Sequence, residues 1–396
     1  TQQGGAVLFG DVDFSALRLP DSAERLRREV RAFLAEEMKA GSFIPHLGHA
    51  QFDADFSRKV GSRGWIGMTW PKKYGGHERS YLDRFVVTEE MLAVSAPCAT
   101  FWVADRQSGP ALLRYGTEQQ REFFLPRIAR GEWCFALGMS EPNSGSDLAS
   151  VRSRAEKVPG GWRLTGQKIW TSWAHKANTF FCLCRTSPDE GDRHKGLSQL
   201  IVDLHSPGVT IRGINFMNGA HHFNEVFLDN VFVPDDMVLG EVGGGWKQVT
   251  SELALERSGP ERFMTTFPLY TELVRRLGRS TDPRARQTIG QLAARFTALR
   301  RMSLAIACEF ARGQEGGAVK DLGTEASLVK DLGTFFEREI TDAARLLVEI
   351  EPQPDASDDF ERYLAECIYA APIGTIRGGT TQVLRTIISR KLTGTA

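Results

Sequence analysis

Four short segments hold residue types on which chemistry could be built. The first is Ser140–Asp147, Ser-Glu-Pro-Asn-Ser-Gly-Ser-Asp, after an apolar run. Gly145 would let backbone N–H groups approach an anion, and Ser144 and Ser146 could donate to phosphate oxygens. The same composition also makes a well-capped turn. The second is Lys168–Asn178, where Trp170 and Trp173 sit three apart beside Thr171 and Ser172. An indole can cover a flat heterocycle while a neighbouring hydroxyl bonds its edge; two tryptophans in a β core are the alternative. The third is Ser251–Arg262. Glu252 and Glu256 are i and i+4, so they share a helical face, and Arg257 follows. A carboxylate at the mouth of an apolar pocket has a raised pKa and can act as a base. The same pattern describes solvated surface, and Glu261 is the nearest competing carboxylate. The fourth is Ile376–Arg385, where Gly378-Gly379 permits close backbone approach and Thr380 can cap the next helix.

The elements that must position these segments follow from periodicity. The first ~130 residues read as mostly helical. Asp21 is expected as a helix cap before Leu26, Val30, Phe33 and Leu34. Further helices are expected over Leu82–Leu92, Gly109–Tyr115 and Thr117–Arg130. Near Gly131 the pattern turns to short apolar or alternating runs: Cys134–Leu137, Gly161–Leu164, Thr179–Cys184, Ser198–Leu204, Val209–Ile211 and Glu225–Val233. From Trp246 the period is helical again. Leu292, Phe296, Leu299, Met302 and Ala305 form one apolar stripe, and Leu322, Ala326, Leu328, Leu332 and Phe335 another. Two last helices are expected, one within Asp358–Ala371 and one from Thr381 to about Lys391. The reading is an α+β chain divided as 1–130 (N-terminal helical domain), 131–242 (middle β domain) and 243–396 (C-terminal helical-bundle domain).

Composition excludes less than the motifs suggest. The 396 residues carry 49 Lys+Arg against 49 Asp+Glu, a formal net charge of zero, so no nucleic-acid footprint is expected. No apolar run reaches the ~18 residues of a membrane span. The opening Thr-Gln-Gln-Gly-Gly lacks the pattern of a signal peptide, so none is expected. Cys182 and Cys184 have a poor metal spacing and read as residues alternating across a strand; a reducing cytoplasm fits best. His221 and His222 read as surface or interface residues, and no metal is expected. No βαβ unit with Gly-x-Gly-x-x-Gly occurs, which argues against a doubly wound nucleotide domain.

Together the segments resemble the acyl-CoA dehydrogenase family over almost the whole chain. The anchors are residues 135–151 (FALGMSEPNSGSDLASV), 164–172 (LTGQKIWTS), 227–240 (FLDNVFVPDDMVLG) and 376–392 (IRGGTTQVLRTIISRKL). The resemblance implies an N-terminal helical domain, a middle β-barrel-like domain and a C-terminal four-helix bundle. It also implies FAD between the β domain and the bundle, with an acyl-CoA as substrate. By position, Gly145 and Ser146 would contact the pyrophosphate, and Met139 and Ser140 the pyrimidine edge. Trp170 would pack on the isoalloxazine and Ser172 would reach its N5 side. Thr380 and Gln382 would contact the cofactor beyond the glycines.

One departure moves the base. Many relatives place the catalytic Glu just before the final Gly-Thr, where this chain has Gly378. Other relatives carry it in a Leu-Glu-Arg motif on an earlier helix, which matches Leu255-Glu256-Arg257. The implied reaction is α,β-dehydrogenation of an acyl-CoA thioester. Glu256 would take the α proton, the β hydride would go to flavin N5, and the Gly378 N–H would stabilise the enolate oxygen. Electron-transferring flavoprotein is the implied oxidant. Arg279, Arg284 and Arg286 are candidates to reach a neighbouring subunit's FAD. The segment before the last helices lacks the glycines relatives use for that contact. A homotetramer or homodimer is the simpler expectation, a heterotetramer with a paralogous subunit the alternative. An oxidase or monooxygenase of the same fold, or a structural subunit of a heteromeric dehydrogenase, are the competing functions.

Overall fold

A computed structural model describes residues 9, 18–45, 51–188, 191–317 and 321–394; the side chains of 252–256 lie outside the description. Its contacts form two compact units. One groups the described part of Thr1–Gln51 with Arg79–Pro97 and Ala254–Ala396, and the other holds Phe52–Glu78 and Cys98–Leu253.

Among the described residues six α-helices precede the sheet: α1 (Asp21–Lys39), α2 (Ala54–Ser62), α3 (Tyr81–Ala93), α4 (Ala99–Val103), α5 (Gly109–Tyr115) and α6 (Glu118–Ala129). Leu26, Val30, Phe33 and Leu34 face inward on α1 as their spacing demands. Pro20, not Asp21, is the N-cap; Asp21 is the first helical residue, where its charge favours the helix dipole. The α2 helix is absent from the sequence reading. It is short, and it starts where Asp53 accepts the Phe56 N–H at 2.8 Å. A Thr117–Gln120 capping box opens α6.

Seven strands follow among the described residues: β1 (Phe135–Gly138), β2 (Arg154–Val158), β3 (Gly161–Lys168), β4 (Thr179–Arg185), β5 (Leu197–Asp203), β6 (Val209–Asn215) and β7 (His221–Pro234). They form one sheet ordered β1-β4-β2-β3-β7-β6, with β5 on β4. The β1–β4 pairing is parallel, while β2–β3, β3–β7, β6–β7 and β4–β5 are antiparallel. Trp162, Leu164, Phe180, Cys182, Cys184, Val226 and Leu228 form the core on one face. Cys182 and Cys184 thus share a face, with Leu183 packed elsewhere. Burial pushes the Cys182 thiol up to about 11, so it is inert packing. Strand β2 escaped the sequence reading because, in Arg-Ala-Glu-Lys-Val, only Ala155 is buried.

Among the described residues six α-helices follow: α7 (Gly245–Glu256), α8 (Phe267–Leu277), α9 (Pro283–Gln314), α10 (Gly323–Leu347), α11 (Asp359–Gly374) and α12 (Thr381–Thr393). Leu292, Leu299 and Ala305 are buried on α9, as expected. The expected stripe holds at the start of α10, where Leu322 and Ala326 are buried, and is displaced farther along. Leu332 is 43% exposed, whereas Val329, Lys330, Phe336, Glu337 and Ile340 are buried. The inward face of α10 carries charges because it anchors neighbouring segments: Asp331 accepts from Arg385 Nε at 3.1 Å and Glu325 from Lys391 Nζ at 2.9 Å. Among the described residues no helix is long and apolar enough to cross a membrane.

Candidate functional site

Within the sheet-containing unit, the end of β1 and the segment after β3 are brought side by side. The Ile169 N–H donates to the Ser140 carbonyl at 3.0 Å. Met139, Ser140 and Ser172 are half-buried, and Trp170 is 54% exposed. Trp170 and Trp173 adopt φ of 59° and 56°. That left-handed conformation costs an L-residue about 1–2 kcal/mol, so neighbouring bonds must hold it. Thr171 and Asn224 exchange two backbone hydrogen bonds of 3.1 Å, and the Trp173 N–H donates to His222 O at 2.9 Å. An apolar indole held exposed in a strained turn is the reverse of core packing; it offers a flat face to something flat. Trp173 differs: it packs on Phe52 and stacks on His222, so it serves the interior of this region.

The Ser140–Asp147 loop is tied by its own groups. Glu141 and Ser144 pair through their backbones at 2.8 and 3.0 Å. The Ser144 hydroxyl is buried and donates to the Asp147 carbonyl at 2.8 Å. Ser144 is therefore a turn brace and not the phosphate donor its type suggested. Gly145 and Ser146 are exposed, and a β-carbon at Gly145 would meet no atom within 4 Å. The loop therefore offers one hydroxyl and bare backbone to open space.

Beneath it lies a buried ion pair that the sequence reading missed. Lys168 is fully buried and donates to Glu141 Oε1 at 2.8 Å and to the Met139 carbonyl at 3.2 Å. Glu141 also accepts the N–H groups of Arg152 at 2.6 Å and Ser153 at 2.9 Å. Burial alone would raise the Glu141 carboxyl; Lys168 and those N–H groups outweigh it and hold it below its ordinary value. The signal was present in the sequence. Lys168 is in phase with Trp162 and Leu164 on β3, and a charge in an inward phase requires a partner. Beside the loop an open groove of about 730 Å³ is lined by Arg152, Arg154, Arg185, Arg193 and Ser150. The Arg185 guanidinium braces it, donating to the carbonyls of Ala149, Arg193 and Lys195 at 2.7, 3.1 and 3.2 Å.

His221 and His222 are half-buried rather than simply surface residues. His221 stacks on His175 with ring centres 3.8 Å apart, and His222 stacks on Trp173 at 5.1 Å.

In the helical unit, Glu256 is the last residue of α7, and its side chain lies outside the described residues. Arg257 is buried and donates to Ser327 Oγ at 3.3 Å. Glu261 is also buried, in a 3₁₀ turn at Pro260–Arg262. Gly378 and Gly379 adopt φ of 64° and 92°, open to glycine without steric cost. Buried Lys330 donates to the carbonyls of Gly374 at 3.1 Å and Gly379 at 2.9 Å, fixing both ends of that turn. Thr380 caps α12 as expected, accepting the Val383 N–H at 3.4 Å, and Gln382 is exposed in its first turn. Arg279, Arg284 and Arg286 lie at or just before the start of α9.

The comparisons with known proteins point the same way. The acyl-CoA dehydrogenase N-terminal domain matches residues 20–132 and the acyl-CoA dehydrogenase middle domain residues 136–231. Acyl-CoA dehydrogenase IpdE1 of Mycobacterium tuberculosis is 32% identical over 94% of this chain and 97% of its own. Acyl-CoA dehydrogenase FadE34 of the same organism is 36% identical over 84% of this chain, which spans 45% of FadE34's length. Among solved structures, the Tcur3481-Tcur3483 steroid ACAD superposes with a TM-score of 0.80 at 28% identity, covering 96% of this chain and 98% of that one. The chain belongs to the acyl-CoA dehydrogenase family of enzymes.

Proposed function

We propose that this chain binds FAD and removes the α and β hydrogens of an acyl-CoA thioester, giving the 2-enoyl-CoA. The observation that carries the reading is Trp170, exposed and held in a left-handed turn beside the Ser140 end of β1. The donor set fits the group. Trp170 would cover the ring system, with Met139 and Ser140 at its pyrimidine edge and Ser172 on the N5 side. Gly145 and Ser146 would receive the pyrophosphate, and Thr380 and Gln382 are proposed as further cofactor contacts. FAD, when bound, supplies the hydride acceptor.

The chain's own residues supply the proton chemistry. The α C–H of a thioester is a very weak acid. It becomes removable when the enolate oxygen is met by a fixed N–H donor in a dry site. Gly378 is the proposed donor: its turn is held by Lys330 and needs no side chain. Glu256 is the proposed base, since residue 378 has no carboxylate to offer. The arginine-lined groove beside the Ser140–Asp147 loop suits the phosphates of coenzyme A. Electron-transferring flavoprotein is the proposed oxidant, and likeness to a structure named a steroid ACAD is the reason to try sterol-like thioesters first.

The test is anaerobic flavin reduction with acyl-CoAs from branched short to long and sterol-like, recording flavin per chain. Bleaching at one flavin per chain supports a self-sufficient homo-oligomeric dehydrogenase. A second reading, a subunit of a heteromeric dehydrogenase, is favoured by the segment 347–358, which has no glycine. It predicts little bound flavin until a paralogous subunit is added. Flavin that binds fully but reacts only with oxygen and never with an acyl-CoA would overturn the dehydrogenase reading.

A further inference from the structure

Asn224, on β7, is fully buried and takes no part in the chemistry proposed above. Its amide Nδ2 donates to the carbonyls of Thr171 at 3.0 Å and His222 at 3.3 Å. Carbonyls only accept, so the nitrogen end of the amide is fixed there. Oδ1 must then receive both imidazoles, His221 Nε2 at 2.8 Å and His175 Nδ1 at 3.1 Å. Both rings donate, which assigns the proton to Nδ1 of His175 and to Nε2 of His221. The rings stack at 16°. Gly213 on β6, opposite Asn224, leaves room for them: a β-carbon there would lie 2.7 Å from His221 Nε2.

Thr171 therefore shares three hydrogen bonds with one residue: its N–H donates to the Asn224 carbonyl, and its carbonyl accepts from the Asn224 backbone N–H and side-chain amide. Thr171 lies between Trp170 and Ser172, and it is bonded directly after left-handed Trp170 and two residues before left-handed Trp173, where the turn would otherwise relax. We infer that Asn224, oriented by the stacked pair His175 and His221, is a positioning residue that sets the angle at which Trp170 and Ser172 are presented. The inference rests on the flavin reading above. A satisfied buried polar network selects one geometry, which is what a surface that must meet a rigid ring requires.

Asn224→Asp is the sharpest variant. It keeps size and an acceptor for both rings, but sets an acceptor against the Thr171 and His222 carbonyls. The FAD-loaded variant should keep its flavin while its visible band shifts. Its kcat should fall roughly 10–100-fold with KM for the acyl-CoA little changed. His221→Gln, which can still donate to Oδ1, should keep most of the parent rate. An Asn224→Asp protein with the parent's band and kcat would overturn the inference, as would a drop in melting temperature alone. If the variant fails to fold, nitrogen-15 NMR of histidines in the flavin-free parent decides. Nδ1–H at His175 and Nε2–H at His221 support the network, and other tautomers overturn it. That measurement needs no flavin, so it separates failure of this network from failure of the flavin reading, which would appear as a parent that binds no FAD.

Discussion

The two turns assigned to the chemistry reach the same backbone region by opposite means. Gly378 and Gly379 occupy left-handed φ without a side chain, and Trp170 and Trp173 occupy it with the largest side chain available. The difference follows from what each turn is proposed to present. One offers a backbone N–H, so glycine removes both strain and obstruction. The other offers an indole, so strain is accepted and neighbours hold it. Each region is anchored by a buried lysine that donates to backbone carbonyls, Lys330 in the helical unit and Lys168 in the sheet-containing unit. Lys168 additionally neutralises a buried carboxylate.

Removing these anchors tests that contrast most severely. Lys168→Met strands the Glu141 carboxylate and should cost about 3–5 kcal/mol, read as a large fall in melting temperature and lost flavin. Lys330→Met removes the donor to the Gly374 and Gly379 carbonyls and should cost about 1–3 kcal/mol with flavin retained. Equal losses would mean that the two lysines do the same electrostatic work. Gly378→Ala forces a β-carbon into the left-handed region, costing about 1–2 kcal/mol and slowing flavin reduction. Trp170→Gly removes a similar strain while adding about 0.5–1 kcal/mol of chain entropy, so stability should barely change as flavin affinity falls. A marked destabilisation would show that the turn is not strained.

Acidity separates the units with opposite signs. The folded Glu141 carboxyl lies below its ordinary 4.5, so its stabilisation is present above that pH and is lost as pH falls through the folded value. Glu337, on α10, is raised by burial, which the charge of Arg377 and the Thr265 hydroxyl and N–H bonds only partly offset. Its contribution is complete below 4.5 and is lost as pH rises through the raised value. Denaturant unfolding against pH should show Glu337→Gln abolishing the loss on the higher side, with the acid-side loss untouched.

Periodicity made the frame legible. Leu26 to Leu34 on α1, the alternation in β3 and β7, and the Thr380 cap are each local patterns that sequence states directly. Positions where tertiary demand reverses the local rule were not legible. Leu332 is exposed and Lys330 buried because α10 holds a turn far from it in sequence. Ser144 and Ser146 are two residues apart and alike in type, yet one braces the loop and the other is exposed, since the Glu141–Ser144 bridge turns only one inward. Asn224 looks like any polar strand residue until Thr171 and the two histidines are placed around it.

The most direct test of the proposed chemistry is Glu256→Gln, examined by anaerobic mixing with an acyl-CoA that bleaches the parent flavin. FAD occupancy should stay full and acyl-CoA binding unchanged, with flavin reduction slowed by roughly 10²–10⁴-fold, the usual worth of a positioned general base. Reduction at near the parent rate would contradict the assignment and pass the role of base to Glu252 or Glu261.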